Sequence, residues 1–153
     1  MEPDVELLLD FMNTLDVEND TDVLRTVQGW QDWAGTRRLR AGTLTEAREL
    51  RAALRAAVGD PDAAPVNVGA EVRIALEDGR PSLAASDVRG AVLAAAARLA
   101  ILDEWPRMKI CPADDCRWAF FDRSRNRSRT WCSMRVCGNR EKARSWRARA
   151  AGS

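Results

Sequence analysis

The chain has 153 residues, 46% of them hydrophobic, and contains no histidine, which excludes catalytic triads and metal sites that need an imidazole. Its net charge of +1 is the sum of two opposite segments. Residues 1–106 are acidic, with 11 arginines and 19 acidic residues, whereas residues 107–153 are basic, with 13 basic and 4 acidic residues. The first residues are acidic, unlike a signal peptide, and no apolar run approaches a membrane span, so we expect a cytoplasmic protein without membrane contact.

Three helices are predicted in the first sixty residues, from apolar residues at helical spacing. A helix over 6–15 comes first. A second over 20–34 has an aspartate and a threonine at its start as N-caps. A third begins at Thr43 or Thr45, and Asp60-Pro61 stops it.

The middle of the chain predicts a β-hairpin followed by a long helix. Apolar residues alternate over 68–76, and after a turn at Asp78-Gly79 the chain returns over 81–85. Ser86 and Asp87 are then expected to cap an alanine- and leucine-rich helix over 88–104.

Four cysteines, the only ones in the chain, form two C-x4-C pairs separated by fifteen residues: Cys111, Cys116, Cys132 and Cys137. This layout predicts a closed structural zinc site with four thiolate ligands. The alternatives are two disulfides, free buried thiols or an iron centre. Because large apolar residues are few after residue 107, we expect zinc to fold this segment, since metal binding contributes about 10–16 kcal/mol in such modules.

The basic segment is predicted to bind nucleic acid, since an acidic body joined to a basic module is typical of such proteins. Phe120 and Phe121 are expected to begin a hairpin whose tip carries arginines, and a helix follows Cys137 with arginines outward and Trp146 inward against the zinc module. The alternative is that the basic face is solvated or docks onto an acidic protein surface. The predicted nucleic-acid-binding residues are Arg125, Arg127, Arg129, Arg140, Lys142, Arg144 and Arg147.

The tetrapeptide Cys137-Gly138-Asn139-Arg140 makes residues 109–149 similar to the CGNR zinc finger, which is named for it. The resemblance implies that the four cysteines are the zinc ligands. Its further matches are Trp118, Phe120, Asp122, Ser124, Asn126, the stretch 131–134, Lys142 and Arg144.

The N-terminal segment resembles the domain that usually precedes this zinc finger, which is described as a stress-induced transcription regulator. The matching stretches are DFMNTLD at 10–16, the residues 30–35 and the hairpin turn at 78–79. The resemblance implies a bacterial transcription regulator, and the strong preference for arginine over lysine, 22 to 2, fits a GC-rich bacterial genome.

Asp10, Asn13 and Thr14 lie beside the apolar stripe of the first helix and are candidates for an effector pocket. The alternative is a set of buried hydrogen bonds or caps.

The sequence as a whole predicts an α+β protein that is mainly α: a helical regulatory domain with one hairpin over 1–106, then a small zinc-finger domain, hairpin plus helix, over 107–153. The expected function is DNA binding in transcription regulation, with one structural zinc ion per chain and no enzymatic activity. Binding of RNA or of an acidic protein is the alternative, and a homodimer and a small-molecule effector remain possible partners.

Overall fold

The computed structural model describes residues 1–152. These residues form five helices and three two-stranded antiparallel ribbons, which confirms the predicted α+β, mainly helical architecture. None of these helices is long and apolar enough to cross a membrane. In chain order the elements are α1 (Glu2–Met12), β1 (Leu15–Asp16), β2 (Thr21–Asp22), α2 (Val27–Thr36), α3 (Leu44–Ala57), β3 (Arg73–Glu77), β4 (Arg80–Ala84), α4 (Val88–Ile101), β5 (Met108–Ile110), β6 (Ala119–Phe121) and α5 (Asn139–Ala151).

Helix α1 lies at the centre of the core, where it packs against α3, α4 and β6. Both parts of the chain supply this core. Residues 1–106 contribute mainly Val5, Leu8, Phe11, Met12, Leu24, Trp30, Leu50, Leu54, Val88, Val92 and Leu99. Residues from 107 onward contribute Met108, Ile110, Ala119 and Phe121. Packing is therefore continuous across residue 107, and the predicted domain boundary there stays a prediction.

Helix α1 begins and ends earlier than the predicted range of 6–15. It ends at Met12 because the next two residues use their side chains elsewhere. The Thr14 hydroxyl donates to the carbonyl oxygen of Phe11 at 2.7 Å, and the Asn13 amide turns towards β6. The chain then extends into β1, where Leu15 pairs with Asp22 of β2.

The predicted N-cap of α2 at Asp20 and Thr21 is wrong. Thr21 lies in β2, and Asp20 has a φ of 51°. Asp22 instead caps a short 3-10 turn, and its carboxylate is held by Arg51 of α3 at 2.5 and 2.9 Å. Thr26 caps α2 itself. The local sequence does not reveal the ion pair between Asp22 and Arg51, and because of this pair α2 begins only at Val27.

The other predicted helices of the N-terminal part and the hairpin turn are confirmed, although β3 begins at Arg73 and not at residue 68. Thr43 caps α3 through a reciprocal capping box with Glu46, and Asp87 caps α4, which ends three residues early at Ile101. The hairpin turns at Asp78-Gly79 with positive φ at both residues, 51° and 75°, which is the type I′ geometry that favours glycine at the second position.

Arg55 joins three separate parts of the molecule from a site where only 2% of its surface is exposed. Its Nε donates to Asp60 at 2.7 Å, its Nη1 to the carbonyl oxygen of Met12 at 3.0 Å, and its Nη2 to the carbonyl oxygen of Arg117 at 2.7 Å. The guanidinium therefore links α3 to the end of α1 and to the start of β6. Asp60 is equally buried, so neither charge can regain water if the pair is broken.

We expect Arg55→Ala to lower the free energy of unfolding by about 3–5 kcal/mol, because it leaves the Asp60 carboxylate buried without its partner. Urea unfolding followed by circular dichroism measures this. The matched control is Arg48→Ala on the same helix, which removes an exposed arginine with one bond to the Leu24 carbonyl and should cost about 1 kcal/mol. Equal losses in the two variants would contradict the account.

Candidate metal centre

Strands β5 and β6 present the first cysteine pair on a tight loop. Cys111 follows β5 directly, and its N–H donates to the carbonyl oxygen of Trp118 at 2.8 Å. Cys116 ends a turn in which its N–H donates to the carbonyl oxygen of Ala113 at 3.0 Å. Arg117 then adopts a φ of 53°, which returns the chain to β6. The β-ribbon thus closes around the first pair of thiols.

The second pair comes from the turn that leads into α5. The Ser133 hydroxyl oxygen accepts a hydrogen bond from the N–H of Val136 at 3.2 Å and caps a π-helical turn over Met134–Gly138. This turn carries Cys137, and Cys132 immediately precedes its cap. The metal site and the start of α5 are therefore the same piece of backbone.

All four Sγ atoms lie within 4.8 Å of one another. The Sγ of Cys132 is 3.6 Å from that of Cys116 and 3.5 Å from that of Cys137. These separations are too long for a disulfide, and the thiols are free. They are close to the spacing of about 3.8 Å that four thiolates adopt around a tetrahedral zinc ion with bonds of about 2.3 Å. The donor set and its geometry fit zinc.

Burial raises the pKa of the Cys116 thiol to about 12, and burial together with the neighbouring sulfurs raises the pKa of Cys132 further. Cys137 differs. Burial disfavours its thiolate as well, but the Arg140 guanidinium donates to its Sγ at 3.3 Å and, with the other thiols, brings its pKa below the ordinary value. The protein itself thus stabilises the Cys137 thiolate, whereas Cys116 and Cys132 need a cation to displace their protons.

Arg140 and Arg144 fix α5 against the loop of the first cysteine pair. Arg140 contacts Glu18 of the β1–β2 turn at 2.9 Å and Asp115 at 3.7 Å. Arg144 contacts Asp115 at 2.7 Å and Glu141 at 2.6 Å, and its hydrogen bond is the main reason why the pKa of Asp115 is lowered. Two of the predicted nucleic-acid-binding residues are therefore already paired with acids of this chain.

The predicted inward orientation of Trp146 is wrong, because 66% of its surface is exposed. The residues of α5 that are partly buried are Arg140, Glu141 and Arg144, so the helix turns its charged side towards the zinc module. Trp146 and Lys142, four residues apart, share the opposite side and are both exposed. The rotation of the helix about its axis is set by ion pairs, which the spacing of apolar residues does not predict.

The predicted hairpin beginning at Phe120 is also wrong in its pairing. Strand β6 pairs with β5, on the other side of the first cysteine loop, and residues 122–133 form no strand.

Asp122, fully buried, organises the loop over residues 122–133. Its carboxylate accepts hydrogen bonds from Lys109 Nζ at 2.6 Å and from the N–H groups of Ser124 and Arg129 at 2.8 and 2.9 Å. Although burial opposes it, these donors hold the pKa of Asp122 well below its usual range.

Sequence reasoning missed the roles of Lys109 and Asp122 as an organising pair. The spacing Asp-x-Ser at 122–124 is a signal for an Asx turn and could have indicated the hydrogen bond to Ser124. Nothing in the local sequence pairs Lys109 with Asp122, since thirteen residues separate them. Arg135, exposed on the turn before α5, was not among the predicted contacts either.

The remaining predicted nucleic-acid-binding residues divide into two groups. Arg127 donates to Asp103, and Arg129 donates to the carbonyl oxygens of Trp131 and Cys132 and lies over the ring of Phe120. In the described part of the chain the other three form no ion pair with a carboxylate; they are Arg125, Lys142 and Arg147. Their role stays a prediction.

The three candidate effector residues each have a partner within the protein. Asp10 contacts Arg37 at 2.8 Å. The Asn13 amide donates to the carbonyl oxygen of Ala119 at 3.0 Å and accepts from its N–H at 2.8 Å. The Thr14 hydroxyl bridges the Phe11 carbonyl and Arg51. The contacts of Asn13 and Thr14 match the alternative of buried hydrogen bonds or caps, and an effector site at the three residues stays a prediction.

The fold and the site define a four-cysteine zinc-finger protein with a helical N-terminal part. The CGNR zinc finger family matches residues 107–150. Residues 6–108 match the family described as "Putative stress-induced transcription regulator". The chain belongs to this regulator family and carries the CGNR zinc finger as its C-terminal part. No curated protein is similar enough to the chain to count as a match.

Removal of the metal by a chelator is expected to loosen residues 131–151 and to leave β5 and β6 protected. The reason is that Met108, Ile110, Ala119 and Phe121 pack into the main core, whereas α5 buries no residue. A cleft of about 310 Å³, lined by Glu18 and by three of the cysteines, borders the site and offers a chelator a route to it. Hydrogen exchange with and without chelator measures the effect. Equal loss of protection in β5, β6 and α5 would show that zinc folds the whole segment.

We expect Asp122→Asn to destabilise the protein by about 3 kcal/mol at neutral pH, because the half-buried Lys109 loses the counter-charge of the buried carboxylate. A carboxyl whose pKa is lowered on folding stabilises the fold above its unfolded pKa of about 3.9, and loses that contribution as the pH falls further. The difference between wild type and variant should therefore shrink below about pH 4. Unfolding free energies across pH measure this, with Asp103→Asn, at an exposed partner of Arg127, as the control. A difference that does not vary with pH would contradict the assignment.

Proposed function

We propose that the chain is a bacterial, cytoplasmic DNA-binding transcription regulator, and not an enzyme, in which one structural zinc ion holds a basic helix against an acidic body. The observation that carries the proposal is α5. It buries none of its thirteen residues, and it carries five basic residues and one acid. A helix that buries no residue and carries this charge suits the major groove of DNA, which admits an α-helix and is lined by phosphates.

The basic residues divide into two roles in this proposal. Arg140 and Arg144 orient the helix through their acidic partners. Lys142 and Arg147 form no such ion pairs within residues 1–152, and the proposal assigns them contacts to phosphates or base edges. Arg125 on the preceding loop and Arg135 on the turn before α5 are further exposed cations, to which the proposal assigns phosphate contacts.

The four cysteines would hold the zinc ion. Zinc supplies two positive charges that allow buried thiolates to coexist, and a closed four-thiolate shell leaves no open position for catalysis. This supports a structural role for the metal. In this role the metal would fix the start of α5, because Cys137 lies on the turn that leads into the helix.

The test is fluorescence anisotropy with random duplex DNA across a salt series. Each phosphate contact contributes about −0.9 to the slope of log affinity against log salt, so Lys142→Ala/Arg147→Ala should weaken binding and reduce the slope by about 2. The control, Arg25→Ala/Arg38→Ala, removes the same charge from exposed positions of the N-terminal part and should leave the slope unchanged. Absence of duplex binding at low salt would overturn the proposal and favour a protein-docking surface.

Single-stranded nucleic acid, including RNA, is the second candidate, favoured by the exposed ring of Trp146 beside Lys142. An exposed aromatic side chain among cations can stack on unpaired bases, a contribution of about 1–3 kcal/mol per base. Single-stranded probes in the same titration distinguish the two. Tighter binding of single strands that is lost in Trp146→Ala, with duplex binding unaffected, would favour this candidate over the major groove.

A further inference from the structure

The β3–β4 hairpin carries apolar side chains on its solvent side. Ile74 and Leu76 are 78% and 72% exposed, and their cross-strand neighbours Leu83 and Pro81 share that face. A two-stranded hairpin is marginal by itself in water, and exposed apolar strands are normally protected. Within residues 1–152 no third strand joins this hairpin.

The register of the hairpin shows which edge is open. A two-residue turn makes the closing pair Glu77–Arg80 a hydrogen-bonded pair, and bonded and non-bonded pairs alternate from there. Ile74 and Leu76 therefore occupy non-bonded positions, and their N–H and C=O groups point away from β4. The outer edge of β4 is interrupted by Pro81, which has no N–H to offer. The outer edge of β3 is thus the one able to accept another strand.

Strand β3 is complementary to itself in charge and in size. Its sequence is Arg-Ile-Ala-Leu-Glu, with Ala75 at the centre. In an antiparallel pair with a second copy centred on Ala75, Arg73 lies opposite Glu77, and Ile74 lies opposite Leu76. The outward N–H and C=O groups of Ile74 and Leu76 then form four hydrogen bonds between the copies. Every position of the strand finds a matching partner.

We propose that β3 pairs with β3 of a second copy around a two-fold axis at Ala75, which gives a four-stranded sheet across a homodimer. The charge pattern identifies a second copy as the occupant, because it reverses about the centre as an isologous contact requires. Within one chain Arg73 and Glu77 are 3.2 Å apart, but both are about two-thirds exposed or more, so this pair is weak and can be exchanged for pairs between copies.

Sedimentation equilibrium on the full chain, without nucleic acid, tests the proposal independently of DNA binding. The wild type should reach twice the chain mass of 17.0 kDa. Arg73→Glu and Glu77→Arg each place like charges opposite one another twice, and each should weaken self-association by about tenfold. Mixing the two variants should restore a heterodimer with wild-type affinity, since a strand with acids at both ends then faces a strand with arginines at both ends. The internal pair is lost in both variants, so recovery on mixing reports contacts between chains.

Ile74→Pro removes the outward N–H of β3 and leaves the bonds to β4 intact, and it should also weaken the dimer by about tenfold. Leu83→Pro makes the same change on the outer edge of β4 and is the matched control, with dimerisation unchanged. Circular dichroism verifies that both variants fold. A monomeric wild type, charge variants that do not recover on mixing, or a greater loss in Leu83→Pro than in Ile74→Pro would each overturn the proposal.

Discussion

The convergence of four thiols on one point is the constraint on which the C-terminal structure depends. They come from two loops sixteen or more residues apart, and three of them are buried. Burial raises the pKa of Cys116 to about 12 and raises that of Cys132 further, so these two thiols do not ionise at neutral pH without a cation. A divalent metal offsets that cost and joins the two loops. The position of α5, which starts at the second loop, follows from the metal site.

The metal site is in turn fixed to the helical body by contacts that involve backbone atoms. The Asn13 amide pairs with both polar atoms of the Ala119 backbone, in the manner of a strand neighbour. Arg55 also donates a hydrogen bond to the carbonyl oxygen of Arg117. These bonds hold β6, and with it the first cysteine loop, against the end of α1. Through the pair of Arg140 with Glu18 the body also contacts the basic helix.

This arrangement connects the two parts of the chain physically. The β1–β2 turn that carries Glu18 borders the same cleft as three of the cysteines. A change in the body that moves this turn would alter the support of α5 without touching the metal ligands. The acidic charge of the body and the basic charge of the helix, separated in sequence, thus meet at the metal site.

Local signals in the sequence predicted much of this structure. The cysteine spacing predicted the thiol cluster, the Asp78-Gly79 turn predicted the hairpin, and Thr43 and Asp87 predicted two helix starts. The errors have a common cause, which is that long-range ion pairs and strand pairing override local pattern. Arg51 displaced the cap of α2, and β5 took β6 as its partner.

The rotation of α5 is the clearest case. Spacing alone directs an apolar Trp146 inward, but Arg140 and Arg144 find Glu18 and Asp115 on the surface that faces the helix. Several charge-assisted bonds outweigh the burial of one ring. Such partners are brought together only by the fold, so the sequence around Trp146 cannot predict which side of α5 faces the protein.

X-ray absorption at the zinc edge tests the central claim most directly. The account predicts one zinc ion per chain, surrounded by four sulfur atoms at about 2.3 Å. A shell with fewer sulfurs completed by oxygen or nitrogen would contradict it. In that case the metal would be bound through an open position, and the closed structural role assigned to the four cysteines would be wrong.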